Sequence, residues 1–262
     1  MNIRSQNFDT RIPSLQGKVS PEEWEARVNL SACYRLVHLW EMSDMIANHI
    51  SVRVPGEPEH FLINPYGCLY EEITASSLVK VDFDGNIVWK PDFDYCINRA
   101  GFIIHSAIHR ARHDLDCVIH THTAAGMAVS ALECGLLPIT QMAMRFWSVS
   151  YHDYEGVAIK LDEQERLLRD LGDSDLMILR NHGLLAVGQT VMQAFDTIRR
   201  AELACKTQIM AMSTGAKLVM PPKPIIEETG NLYRPETRRP FGVLEWPALL
   251  RKLDRIDPSY RN

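Results

Sequence analysis

The sequence predicts a soluble α/β domain, and three observations carry that prediction. Long stretches repeat apolar residues at helical spacing, short Val/Ile/Leu-rich runs between them have the length of strands, and glycine or proline punctuates most boundaries. At 262 residues the chain is near the length at which single cores stop growing, and 46% hydrophobic residues is ample for one sizeable core. One domain over residues 20–220 is expected, with a flexible segment at 1–19 and a tail at 221–262 packing on the domain or on a neighbouring subunit.

Each element has its own signal. Ser20, Pro21 and Glu23 form a helix start: a capping hydroxyl, a proline in the first turn and a capping-box glutamate. Trp24, Val28, Ala32, Leu36, Leu39 and Trp40 then recur on one face, which predicts a helix running to about Met45. Ile50–Val54 and Phe61–Ile63 read as short strands on either side of Pro55-Gly56-Glu57-Pro58. Ser77–Phe83 and Asn86–Lys90 flank Asp84-Gly85, a dipeptide suited to the positive φ angles of a tight hairpin. Gly101–Arg112 reads as a helix, Cys117–His122 as a strand, and Ala124–Cys134 as a helix stopped by Gly135. Leu161–Leu171 is a helix closed by Gly172. Leu176–Leu179 and Leu184–Val187 are apolar runs joined by the turn Arg180-Asn181-His182-Gly183. Val191–Ser213 is a long amphipathic helix, after which prolines, charges and Phe241–Leu253 make up the tail.

Composition narrows the function. Lys plus Arg is 28 against 33 for Asp plus Glu, a formal charge of -5, so nothing attracts the chain to nucleic acid or an anionic membrane. The densest basic group, Arg234 with Arg238 and Arg239, lies in the Pro-rich tail. Six cysteines at 33, 68, 96, 117, 134 and 205 contain no C-x-x-C pair, and burial in apolar stretches is the default for Cys117 and Cys134. No apolar leader and no 18-residue apolar run is present, so the expected location is the cytoplasm.

The most informative stretch is Val118-Ile119-His120-Thr121-His122. Alternate residues of a strand share a face, so His120 and His122 aim at one point, and the turn Asn181-His182-Gly183 offers a third imidazole. Three histidines with an open position suit a catalytic metal site. Imidazoles accept zinc, iron, copper or nickel, so residue type alone does not select the ion. On spacing alone, the pair reads equally well as two polar residues at a strand end.

The resemblance adds to this. Ile50-Ser51-Val52-Arg53-Val54-Pro55-Gly56, Ile63-Asn64-Pro65-Tyr66-Gly67, Ala107-Ile108-His109-Arg110-Ala111-Arg112, Val118-Ile119-His120-Thr121-His122-Thr123 and Arg180-Asn181-His182-Gly183 carry it. Through them the span from Trp24 to Gly215 resembles the class II aldolase and adducin family. That resemblance implies a three-layer α/β/α fold around a central, mostly antiparallel sheet. It also implies a homo-oligomer, often a fourfold tetramer, with sites near subunit interfaces. It further implies one divalent metal held by His120, His122 and His182: zinc first, with iron, manganese or cobalt as alternatives.

The chain departs from the family's phosphosugar aldolases at the segment that carries their acid/base glutamate and phosphate-binding serines. Asn98-Arg99-Ala100-Gly101 stands there, with Gly101 in the glutamate's place, and His49 appears in place of a phosphate-contacting asparagine. Losing a general base typically costs ~10²–10⁴ in rate. Other stretches, Asn48-His49-Ile50, Glu59-His60-Phe61-Leu62-Ile63, Thr74–Lys80 and His105-Ser106-Ala107-Ile108-His109, look like the adducin branch. Three functions follow. The first is a metal-dependent lyase-like enzyme of aldolase, decarboxylase or dehydratase type, working through enolate chemistry on a small non-phosphorylated oxygenated substrate. The second is a non-catalytic adducin-like assembly module of the cytoskeletal kind, and the third a non-haem iron oxygenase built on the same histidines. No catalytic residue is assigned from sequence. His105 and His109 read as packing, Tyr151 and His152 as a polar loop that could move protons, and Glu133 as solvated or supporting the site.

Overall fold

The computed structural model describes residues 12–93, 95–156, 161–234, 237 and 240–262; Arg238, Arg239 and residues 1–11 lie outside them. Helix α1 (Pro21–Leu39) begins as its sequence dictates, with the Ser20 hydroxyl accepting the Glu23 N–H at 3.1 Å. The Glu23 side chain has a different task from the one its spacing suggests. It is buried, and it bridges Arg27 and Lys80 at 2.8 Å each, while Arg27 also donates to the carbonyls of Ala75 and Leu78. The helix stops at Leu39, short of Met45, because Glu41 and Met45 take left-handed backbone at φ 55° and 45°.

Strands β1 (His49–Val54) and β2 (Glu57–Ile63) are joined by a short turn, as are β3 (Val79–Asp82) and β4 (Ile87–Trp89), while a longer connection with a 3-10 turn at Tyr70–Glu72 leads from β2 to β3. In the β3–β4 turn only Gly85 takes positive φ, and the ladder carries a bulge at Lys80/Val81. Helix α2 (Arg99–Ala111) precedes β5 (Cys117–Thr121), α3 (Ala124–Ser130) and α4 (Gln141–Met144). Strand β6 (Ser150–His152), α5 (Leu161–Leu171), β7 (Leu176–Leu179), β8 (Gly183–Gly188) and α6 (Val191–Met212) follow. The strands form one sheet in the order β4-β3-β2-β1-β5-β8-β7-β6, antiparallel throughout except for β6 beside β7.

Both faces of the sheet are covered, which makes three layers. On one side Ile50, Ile119, Ile178 and Leu184 pack with Leu30 and Leu36 of α1, Val129 of α3 and Ala194, Ile198 and Ala201 of α6. On the other, Val118, Met177, Leu179 and Leu185 meet Ile104 and Ile108 of α2 and Leu167 and Leu171 of α5. The tail is more structured than its composition suggests. It forms α7 (Lys223–Asn231) and α8 (Trp246–Ile256), then returns to α1. There the Trp246 indole donates to Asn29 at 2.8 Å, and the Tyr260 carbonyl accepts from the Ser31 hydroxyl and the Ala75 N–H. Ile12 and Leu15 are buried, so the described part of the N-terminal segment also packs on the domain.

Between β1 and α2 lies a sealed polar group. The Ser51 hydroxyl sits 2.6 Å from His105 Nδ1 and 2.7 Å from His109 Nε2, donating to one ring and accepting from the other. The His109 ring also stacks on Phe61, with centroids 4.8 Å apart. Both imidazoles are fully enclosed, and their other nitrogens have no hydrogen-bond partner among the described residues. Protonation would bury an unpaired charge. Burial therefore pushes His109 down to about 3 and His105 well below its ordinary value of 6.5. In the unfolded chain both bind protons below about pH 6.5, whereas the folded chain refuses them. Stability is thus full above that pH and falls as pH drops through the window towards about 3. The unfolding midpoint is expected to fall by about 10 °C between pH 7 and pH 4, and a flat midpoint over that range would contradict the burial of these rings as neutral groups.

Candidate metal centre

The site grows from the two-residue repeat of β5. Val118 and His120 face the α2/α5 side, where His120 pairs across the ladder with His49 of β1 and Leu185 of β8. His122 lies just beyond the strand and leads into Thr123, whose hydroxyl caps α3 by accepting the Gly126 N–H at 3.0 Å. The third histidine is delivered by the turn between β7 and β8. Asn181 takes φ 55°, a conformation asparagine tolerates better than most residues. Gly183 brings β8 so close to the Thr121 carbonyl that a Cβ there would collide with it. The end of α3 holds the turn in place, because the Ser130 carbonyl accepts the Asn181 N–H and the Ser130 hydroxyl accepts the His182 N–H, each at 3.2 Å.

The three imidazoles converge. His120 Nε2 is 2.7 Å from His122 Nε2 and 3.2 Å from His182 Nε2, and the latter two are 3.0 Å apart. His120 Nδ1 lies 2.8 Å from the Leu184 carbonyl, which can only accept, so that nitrogen carries the proton and Nε2 presents a lone pair. His122 Nδ1 is fixed the same way by the Asp44 carboxylate at 3.1 Å. Ring nitrogens crowded together in this manner, two of them presenting lone pairs, repel unless a proton or a cation lies between them. Three nitrogens at ~2.0–2.1 Å from a tetrahedral ion stand about 3.3 Å apart, close to the separations observed. The donor set therefore fits a divalent metal, and among the described residues it is the cluster of this kind that the fold assembles. His120 is buried while His122 and His182 are partly exposed, which leaves one side approachable. Burial, reinforced by the neighbouring rings, holds His120 well below its ordinary value and His182 at about 4. His120 and His182 are therefore neutral at pH 7.

Three further residues frame the site, and sequence reasoning missed the first two. Asp44 was hidden because the apolar repeat of α1 ran past it. Glu202 of α6 was passed over as one residue of an amphipathic helix, although an acid beside Ala201 and one turn from Ile198, on the buried stripe, was a usable signal. Its two carboxylate oxygens accept from the hydroxyls of Thr121 and Thr123. Burial raises its carboxyl above the ordinary value, and the two hydroxyls work against that rise. The third is His49, whose ring lies where a Cβ on Gly101 would have to go. Burial pushes His49 down to about 4, opposed by a hydrogen bond with Asn64.

The remaining candidates go elsewhere. His105 and His109 bind Ser51 in the core and do not join the triad. The Tyr151–His152 stretch is no surface loop. His152 is buried in β6 with Nδ1 2.8 Å from Asp170, and Tyr151 accepts the Leu136 N–H beneath the Arg180 guanidinium. Parallel pairing with β7 explains this placement. Glu133 and Cys134 are exposed, whereas Cys117 is buried in β5.

Comparison with known proteins agrees with this architecture. Residues 28–209 match the model of the Class II Aldolase and Adducin N-terminal domain. A Pseudomonas aeruginosa chain provisionally named an aldolase class 2 protein is 49% identical over 251 residues, covering 94% of this chain and 96% of that one. Rat alpha-adducin is 42% identical over 248 residues, covering 88% of this chain and 33% of the adducin. Among solved structures, an aldolase II superfamily protein from Pseudomonas syringae superposes with a TM-score of 0.89 at 50% identity, covering 95% of this chain and all (100%) of that one. An L-fuculose 1-phosphate aldolase from Glaciozyma antarctica gives a TM-score of 0.80 at 25% identity, covering 97% and 98%. The chain belongs to the class II aldolase and adducin family.

Proposed function

We propose that this chain is a metal-dependent, lyase-like enzyme that breaks a carbon–carbon or carbon–oxygen bond next to a carbonyl or carboxylate in a small, non-phosphorylated substrate, with zinc as the ion. The observation that carries the reading is the convergence of three imidazole Nε2 atoms within 2.7–3.2 Å, two of them with tautomers fixed from behind. A divalent cation held there would serve as a Lewis acid towards a substrate oxygen. His122 and His182 leave the accessible side, and the half-exposed Tyr154 stands with its ring 6.4 Å from that of His182.

Position 101 supports a departure from phosphosugar chemistry. No side chain fits there while His49 holds its rotamer, so a glutamate is excluded by the neighbour as well as absent from the sequence. Exposed Met210, Val219, Met220 and Leu244 support self-association into a homo-oligomer, with a tetramer as the proposed state. The free cysteines suit a reducing compartment, the cytoplasm in this reading, and no helix among the described residues is long and apolar enough to cross a membrane.

One second reading has an observation of its own. The 42% identity to alpha-adducin favours an assembly module, although this chain spans a third of that protein. Metal analysis separates the two. Protein prepared without added metal should carry about one divalent ion per chain, and His120→Ala or His182→Ala should weaken zinc binding by about 100-fold or more while abolishing turnover of a hydroxy-acid and keto-acid panel. Absence of stoichiometric metal, or self-association as the sole property left unchanged by His120→Ala, favours the module instead.

The His49–Gly101 contact makes its own prediction. Gly101→Ala should destabilise by about 1–3 kcal/mol through overpacking, and His49→Ala in the same chain should recover most of that loss. Additive costs in urea unfolding would show that the two positions do not share one space.

A further inference from the structure

Glu202 is an anomaly as a structural residue. It is 6% exposed on the apolar stripe of α6, with the buried Ala201, Ile198 and Cys205 close by along the helix. A carboxylate in such a place is costly unless something requires it. Its partners are two threonines with a particular relation to the site: Thr121 and Thr123 bracket His122. The alternation that turns His120 and His122 towards the α2/α5 side turns the two threonines towards α6. Glu202 therefore grips the ligand segment from the opposite face of the sheet, with one oxygen on each side of His122.

The grip extends to the third ligand. Thr123 Oγ1 donates to Glu202 and accepts the Gly126 N–H at 3.0 Å, so the carboxylate is tied to the start of α3. At the other end of α3, Ser130 holds the turn that presents His182, through two bonds of 3.2 Å. Thr121, the other arm, keeps its carbonyl against Gly183 next to that same turn. A single buried side chain is thus connected to the placement of all three imidazoles.

We propose that Glu202 is the positioning residue of the metal centre, setting the ligand segment His120–Thr123 and, through α3, the His182 turn. This rests on the metal-centre reading above. It assigns Glu202 no contact with the ion or with substrate, and it deepens the reading by naming what holds the triad open to a cation. The role differs from core packing in its consequence. A packing residue would move the unfolding midpoint and leave the site's affinity alone. A positioning residue moves affinity and coordination geometry even where the metal-free fold is unaffected.

The test uses Co²⁺ as the probe on the full chain, with affinity read by chelator competition, geometry by the visible absorption of the bound cobalt, and the fold by metal-free thermal unfolding. Glu202→Gln keeps the shape and removes the second acceptor oxygen. It should weaken cobalt binding by about 10–100-fold and alter the absorption band, with the metal-free midpoint unchanged or raised. Thr121→Val removes one arm and should give a smaller loss in the same direction, and the two losses should not add, because they break one device. If Glu202→Gln fails to accumulate as folded protein, Thr121→Val carries the test by the same readings. Cobalt affinity and spectrum within twofold of the unaltered chain, in a folded variant, overturn the proposal whatever happens to the midpoint. Failure of the unaltered chain to bind cobalt at one per chain sinks the triad reading itself, a result separable from a variant that binds as well as its parent.

Discussion

The alternation of one strand governs this molecule. Strand β5 lies between β1 and β8 in the middle of the sheet, and its residues carry opposite duties on opposite faces. Imidazoles face α2 and α5, and hydroxyls face α6. Because the side-chain period is two, a slip of one residue would drive His120 into the core against α6 and bring Thr121 to the α2/α5 side. Apolar patterning specifies register in any buried strand. Here the paired chemistry of histidine and threonine specifies it again, since each set finds partners on its own side alone. The family's three layers are the scaffold this arrangement needs: a sheet open on one face could not hold the histidine pair from both directions.

A second theme is the number of neutral, desolvated imidazoles. His49, His105, His109 and His120 are all buried, and burial drives each one's proton affinity down. For His120 this leaves a lone pair that holds no proton at neutral pH and is free for a cation. For His105 and His109 it is a structural cost, offset by the Ser51 hydroxyl between them and by stacking on Phe61. His49 stands between the two groups, paired with His120 along the ladder and pressed against Gly101 on α2. The glycine at 101 and the histidine at 49 are two halves of one packing solution, and each explains the other better than either explains itself.

Much of this was legible in the chain. Helix α5 matches its sequence reading at its C-terminal end, where Gly172 at φ 51° closes it. The triad was legible because it uses two short-range signals, the period of a strand and the Asn-His-Gly turn. What escaped has a physical pattern. The end of α1 was overrun because Trp40 and Met42 continue the apolar repeat, while the left-handed backbone of Glu41 that breaks the helix leaves no trace in periodicity. Strand β6 has three residues, too few for alternation to register, and its identity comes from pairing with β7. Asp44 and Glu202 touch the site from 78 and 79–81 positions away, a separation at which no local pattern operates.

These distant partners bear on the choice between enzyme and assembly module. An assembly surface gains nothing from three ring nitrogens turned towards one another at 2.7–3.2 Å. Nor does it gain from a carboxylate buried behind them, which burdens the fold. Were the histidines mere packing, a neutral hydrogen-bonded arrangement like the Ser51 group would serve better, and the same chain builds one between β1 and α2. The contrast lies within a single molecule: where imidazoles are structural, a hydroxyl separates them, and where they form the triad, nothing does. That difference is what a cation would require of the site, and it supports the proposed chemistry at His120, His122 and His182.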